Sequence, residues 1–534
     1  MWQRVWQKLE TTVAGGAVLV SSSWIISKVL GLLRERLIAE RFGASVQTDA
    51  YYAAFSVPDF VYGTLILGSL LTAFIPVFVA ARQRDEAEAW RITNTIMNAM
   101  ALIMAALALI IILGAPLFVH LIAPGFHGER FSLTVTLTRL LAVNLIFFAM
   151  SNVLSGVLNS VKKFAVYSLA PIVYNASIIG GVVFLAPQYG IQGVAVGAVV
   201  GAALHFAIQI PAARKAGFRY RAVLDWSNAG VRQIGRLIIP RAIGQSITQI
   251  DQIVNVVIAS TLALGSVTIF RWANNIQDLP VTLIGVSLAT VAFPVFAETL
   301  ARGDKEGFTI QFSRIVRQIL FLVIPISILI LQLRAQLVRV IIGAHGVTWP
   351  QTITTSQTLA FFTISLFAQA LIPVLARSFY AMQDTRTPVR ITAVALGLDI
   401  VGSFVLSHFM GVTGLALSYS ISSLIAALAL FVALRKRVGH LDDERIVRTV
   451  FRVIGITILM SIVVQGTKFV LVSLGLDLTR AVGVFAQAFV AGSVGALAYL
   501  AFALLFRFEE ISLLALGLTR IRDRITRSRG PSDS

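Results

Sequence analysis

Fourteen apolar runs, each long enough to cross a lipid bilayer, limit what this chain can fold into. They lie near residues 13–33, 51–80, 92–119, 132–159, 165–186, 191–213, 233–260, 268–297, 315–333, 352–376, 388–408, 412–434, 452–473 and 481–506, separated by charged or Pro/Gly-containing breaks. A helix needs roughly 20 apolar residues to span the hydrocarbon core. Inside that core every backbone N–H and C=O must be satisfied within the segment, which selects helices. The expected fold is all-α and polytopic, with fourteen transmembrane helices. Only 13% of the residues are charged, against about 25% in soluble domains, so a soluble globule, a single-span receptor and a peripheral enzyme are excluded.

The 44 Lys+Arg against 25 Asp+Glu give a net charge of +19. In a soluble chain that would suggest nucleic acid; here the cations sit mostly in short inter-helix loops, and no nucleic-acid partner is expected. Arg82, Arg84, Lys162, Lys163, Arg214, Lys215, Arg435, Lys436 and Arg437 fall on one side when loops are alternated from a cytoplasmic start. The positive-inside rule then places both termini in the cytoplasm. Met1 to Ser27 reads as an uncleaved first span, because no small-residue cleavage site precedes the charged Lys28–Arg36 stretch. The Arg-rich tail from Arg520 to Ser534 reads as a disordered segment lying against anionic lipid headgroups.

Sliding the second half of the chain back onto the first superposes its punctuation. At one constant offset Gly190, Gly193, Ala195, Arg214 and Lys215 fall on Gly411, Gly414, Ala416, Arg435 and Lys436, and at an offset one step longer Gly43 and Pro58 fall on Gly265 and Pro280. The offset spans six helices, so the two copies run in the same direction. A parallel repeat predicts an N-terminal lobe over 1–230 and a C-terminal lobe over 231–440, with the substrate path between them. Two further helices occupy 441–507, and a basic cytoplasmic tail 508–534. Two lobes around a cleft suit alternating access. Gly193, Gly197 and Gly201 form a small-residue ladder suited to close helix contact.

An ionisable group at membrane depth costs a few kcal/mol and usually faces a wet cavity or bundle interior. Such residues concentrate in the leading helix pairs of the two repeats. Lys28, Arg34 and Glu35 lie in or just beyond the first span, and Asp49 enters the second. Arg241, Gln245, Thr248, Gln252 and Asn255 make a stripe along the seventh, with Asp251 beside it; Arg271, Asn275 and Asp278 share one face of the eighth. Asp49 and Arg271 coincide under the longer of the two offsets. The expected cavity is mainly cationic, and because guanidinium groups bind phosphate oxygens bidentately, a phosphate-bearing lipid is the natural cargo. Lys28, Arg34, Arg241, Arg271 and Asn275 are the expected substrate-binding residues, and Glu35, Asp49, Asp251 and Asp278 the cavity acids or coupling groups. No HExxH or GxxxxGK[ST] motif occurs, there is no cysteine, and the six histidines are scattered. A transporter without cofactor or metal is therefore expected, and an enzyme is not.

The segment SKVLGLLRERLIAERFGASVQTDAYYAAFSVPDF, the APGF at Ala123–Phe126, the LSGVLNS of Leu154–Ser160 with the following FAVYSLAPIVYN, and FYAMQDTRTPV at Phe379–Val389 resemble the MurJ (MviN) lipid II flippase family. That family belongs to the multidrug/oligosaccharidyl-lipid/polysaccharide exporter superfamily. The resemblance runs over about residues 15–440. It implies translocation of lipid II, the undecaprenyl-pyrophosphate-linked peptidoglycan precursor, from the inner to the outer leaflet of the bacterial plasma membrane, with cell-wall synthesis enzymes as further partners. Ser27, Gly31, Arg34 and Glu35 match the family's first-helix pattern, with Lys28 where an arginine is usual. Tyr62 and Gly63 stand where the second helix usually carries arginine, and Asn275 where the eighth does, with Arg271 one turn earlier. The alternatives are export of another polyprenyl-linked saccharide, an ion-coupled small-molecule antiporter of the same superfamily, and a scaffold without transport.

Overall fold

The computed structural model describes residues 13–67, 70–343 and 346–511. The Arg-rich tail beyond Arg520 lies outside the described residues. Twelve rods are long and apolar enough to cross a membrane, when a bent pair is counted as one. They are α2 (Val46–Arg84), α3 (Glu86–Ile122), α4 (Gly128–Ser160), α5 (Phe164–Tyr189), α6 (Ile191–Lys215), α8 (Ser266–Ala301), α9 (Lys305–Ile342), α10 (the pair Trp349–Thr363 and Leu366–Ala381, bent by 45°), α11 (Arg386–Met410), α12 (Val412–Val438), α13 (Asp443–Ser473) and α14 (Ala481–Leu505). Two more, α1 (Val13–Phe42) and α7 (Ala229–Ser260), are 30 and 32 residues long. α7 carries the polar stripe read along the seventh span, and α1 carries Lys28, Arg34 and Glu35. With them the described residues hold fourteen rods of spanning length.

The chain divides into two compact units. One comprises residues 1–272, 341–351 and 403–415; the other comprises 273–340, 352–402 and 416–534. The first takes in α1–α7, the start of α8 and the two distal corners α9–α10 and α11–α12, where distal means the end of the rods away from the start of α1. In the second, α9, α13 and α14 share a core around Phe321, Val453, Met460 and Tyr499, and the Tyr499 hydroxyl donates to the Phe321 carbonyl at 2.7 Å.

The repeat recurs in backbone geometry and packing. Gly190 and Gly411 turn their corners at φ 56° and 61°, where a side chain would be strained. A Cβ on Gly193 would lie 2.6 Å from the Leu185 backbone, and one on Gly414 would overlap the backbone of Leu406, the residue that the same offset pairs with Leu185. A Cβ on Gly197 would lie 2.9 Å from the Gly181 backbone, so the glycine ladder brings α6 onto α5. We expect Gly193→Ala to lower stability by about 1–3 kcal/mol, the usual cost of overpacking. Gly466→Ala, where an added Cβ meets nothing within 4 Å, should raise it slightly through helix propensity. Thermal melts of the two purified variants check the opposite signs.

Three rods contain a π-helical turn, at Gly63–Leu67 in α2, Gly181–Leu185 in α5 and Val281–Val286 in α8. Each follows a proline of the same rod, which removes a backbone donor. Gly63 and Gly285 are repeat equivalents in two of these turns. Gly63 faces the Gln249 side chain of α7, and Gly285 lies against the Ala370 backbone of α10. Such turns favour functional regions of a helix, and two of the three sit in the second helices of the two repeats.

Candidate functional site

The polar residues of α1 are drawn together by α2 and α5. Arg34 donates Nη1–H to Asn175 Oδ1 at 3.0 Å and Nη2–H to Glu35 Oε1 at 2.5 Å. Asn175 is fixed from the other side by its own donation to Ser27, at 3.1 Å to the hydroxyl. The second Glu35 oxygen accepts from the Tyr52 hydroxyl. That hydroxyl in turn accepts from Trp272 Nε1–H at 3.3 Å, so α2 and the start of α8 complete the chain of bonds. Trp272 is fully buried and adjoins Arg271 in the chain. The cations acting on the Asp59 carboxyl are Arg271 and then Arg34, and the phenols of Tyr51 and Tyr174 lie in the field of Arg34. Aromatic rings wall the cluster: Tyr62 packs on Phe148 at 5.1 Å and Phe148 on Tyr174 at 5.2 Å.

One polar atom of this cluster has no protein partner. The Nε of Arg34 is buried with no acceptor, a loss of about 1–3 kcal/mol for an unmet donor. Two of the three guanidinium nitrogens are thus placed by protein acceptors, and the third is enclosed without one.

The other sequence-selected residues are distributed. Lys28 lies over the Trp24 ring at 5.4 Å. Arg241 on α7 donates to the Thr72 hydroxyl of α2 at 3.1 Å. The backbone carbonyl of Asp251, half-buried on α7, accepts from Asn255 at 3.0 Å. Asn275 and Asp278 belong to the second unit, where Asp278 accepts from the Thr282 hydroxyl at 3.0 Å. Asp49 is fully buried at the distal end. It accepts from Gly265 N–H at 2.8 Å, Thr268 N–H at 2.9 Å and the Thr268 hydroxyl at 2.6 Å, and pairs with Arg130. Both its oxygens are occupied by protein donors.

The family model described as Lipid II flippase MurJ matches residues 38–477. The chain belongs to the lipid II flippase MurJ family. The Lipid II flippase MurJ of Burkholderia cenocepacia is 30% identical over 428 residues, covering 78% of this chain and 83% of that one. A Probable lipid II flippase MurJ of Vibrio cholerae is 27% identical, covering 80% and 84%. Among solved structures, a Lipid II flippase MurJ in an inward closed conformation superposes with a TM-score of 0.76 at 24% identity, covering 92% of this chain and 99% of that one. An inward-facing multidrug resistance MATE transporter of the MOP superfamily gives 0.68 at 14%, covering 80% and 99%. The MurJ-family chain is thus a multi-pass inner-membrane transporter and not an enzyme.

Asp59, which follows Pro58, is visible in the sequence as a charge at membrane depth but is not among the expected site residues; it lies in the field of Arg271 and Arg34. Tyr51, Tyr52, Asn175 and Trp272 escaped the sequence reading, because they carry no charge that would single them out. In the second unit Arg377 on α10 donates to the Val286 carbonyl at 3.2 Å and the Thr290 hydroxyl at 2.6 Å, at the end of the π-helical turn of α8. Asp399, midway along α11, is buried. Ser418 donates to its backbone carbonyl at 2.9 Å, and Ser422 approaches its carboxylate at 3.4 Å. Among the described residues no group of three His, Cys, Asp or Glu is placed to hold a metal ion.

Proposed function

We propose that this MurJ-family flippase grips the pyrophosphate of lipid II at Arg34 and Arg271, with Lys28 and Arg241 adding positive potential. The buried, partnerless Nε of Arg34 carries this reading, because a phosphate oxygen is the acceptor it lacks. Glu35 positions Arg34, and Asp59 is the internal carboxylate that the phosphate displaces. The aromatic wall of Tyr51, Tyr62 and Tyr174 excludes water and strengthens each charge-assisted bond. Asp251 and Asp278 are then the acids available to couple a cation to the cycle. Asp49 serves instead as an anchor, since its oxygens are already taken.

On this reading lobes over 1–230 and 231–440 alternate access to the two leaflets, the helices over 441–507 flank them, and both termini lie in the cytoplasm. The basic tail rests on anionic lipid, and cell-wall synthesis enzymes meet the flippase where the cargo is made and used. Membership of the lipid II flippase family does not favour the antiporter alternative.

The test is competition. Binding of fluorescent lipid II to the purified protein should be displaced by undecaprenyl pyrophosphate, which lacks sugar and peptide. The matching glycosylated lipid without phosphate should fail to displace it. Displacement by the phosphate-free lipid alone would remove the pyrophosphate from the site.

A further inference from the structure

We infer that the corner where α5 starts and α6 ends, at the end of the rods where α1 begins, binds one anionic phospholipid. Its phosphate lies between Lys163 and Lys215, and its acyl chains run along the outer face of α6. This rests on the membrane-spanning fold and is independent of the cargo site. A cavity of about 310 Å³ lies at this corner, lined by Lys163, Val166, Ile208, Pro211, Ala212 and Lys215. That is at the low end of the roughly 300–1,000 Å³ of ligand pockets and suits a headgroup. Two ammonium groups meet four apolar residues, the amphiphilic pattern of a lipid at the interface. Among the described residues neither lysine has an ion-pair partner.

The cavity continues into the bilayer along one helical row. Val196, Val200 and Leu204 are exposed apolar residues of α6, and at steps of four they lead to Ile208 and Ala212 in the cavity wall. Free phosphate has no use for such a row, whereas acyl chains do. The row therefore commits the site to a phospholipid.

The repeat shows what the corner lacks. Lys162 and Gln383, equivalent under the repeat offset, share left-handed backbone at φ 59° and 58°, and the residues that follow them are Lys163 and Asp384. Asp384 accepts from the N–H groups of Arg386 at 2.9 Å and Thr387 at 3.0 Å, closing the start of α11, and pairs with Arg437 at 2.8 Å. Its carboxylate is thus a built-in anion between a helix N-terminus and a basic residue. At the equivalent corner α5 starts at Lys163 without a side-chain cap. A lipid phosphate there supplies the negative charge that Asp384 supplies in the other repeat, where first-turn N–H groups favour it.

The purified full chain in phosphatidylcholine nanodiscs should melt at higher temperature as phosphatidylglycerol is titrated in, with a saturating response. In Lys163→Gln/Lys215→Gln the apparent affinity for phosphatidylglycerol should fall about 25-fold, the loss of two juxtamembrane cations, while lipid II transport in phosphatidylcholine vesicles stays at the wild-type rate. Lys163→Arg/Lys215→Arg should keep the response. An unchanged response in the glutamine variant overturns the site. So does equal protection by inorganic phosphate, or an equal loss in Arg82→Gln, which alters an exposed cation paired with Glu86 at the end of α2.

Discussion

Replacing Arg34 and Arg271 together by alanine should cut lipid II translocation in proteoliposomes by a hundredfold or more. Hydrogen bonds to ionised groups contribute about 1.5–3 kcal/mol each, and roughly every 1.4 kcal/mol is a factor of ten, so losing one strong contact from each arginine reaches that range. Arg34 also neutralises Glu35, which is buried, and its removal alone strands a carboxylate whose remaining partner is Tyr52. Arg34→Ala/Glu35→Gln/Arg271→Ala separates the two effects: it should melt near the wild-type temperature and still fail to transport. Arg34→Lys should retain part of the activity, because it keeps charge but loses the fork that engages Asn175, Glu35 and a phosphate at once. Full translocation by a well-folded double or triple variant would sink the site.

The rods and their polar faces were legible because they rest on local spacing. The stripe on α7 is visible at three- and four-residue steps, and the charges of α1 stand out at the end of its apolar run. The repeat was legible in its glycines, whose packing against Leu185 and Leu406 follows the same offset. The cluster around Arg34 was only half legible. Arginine and glutamate announce themselves, whereas Asn175 lies 141 residues from Arg34 and looks like any polar residue of a helix until the fold brings it to 3.0 Å. Asp399 forms no group with other charges along the chain, and its serine partners come from the next helix. Asp49 was visible as an acid at the start of a span, but its donors Arg130, Gly265 and Thr268 come from distant parts of the chain. Their number is what changes its reading from a coupling group to an anchor.

That anchor has a mechanical consequence. Around Asp49 the distal loops of the first unit are in backbone contact. A Cβ on Gly346 would overlap the Glu40 carbonyl oxygen, and one on Gly125 would overlap that of Ser260. The Gln351 amide accepts from Ala44 N–H at 3.4 Å and donates to its carbonyl at 2.8 Å. Alternating access requires this end to open in each cycle, and the buried carboxylate holding Gly265, Thr268 and Arg130 is its strongest tie. Asp49→Ala leaves the Arg130 cation and two N–H groups unpaired, a loss of about 3–5 kcal/mol, enough to move a two-state equilibrium by a hundredfold or more. The chain has no cysteine, so Ala44→Cys/Gln351→Cys reports on the closed state without background. In the otherwise native chain a short bifunctional thiol reagent should join the pair rapidly and stop transport until it is reduced. With Asp49→Ala added, the joining rate should fall at least tenfold, and Asp49→Asn, which keeps one acceptor oxygen, should fall between. If the pair joins equally fast with and without the Asp49 carboxylate, the glycine contacts alone hold this end shut, and Asp49 has no part in the gate.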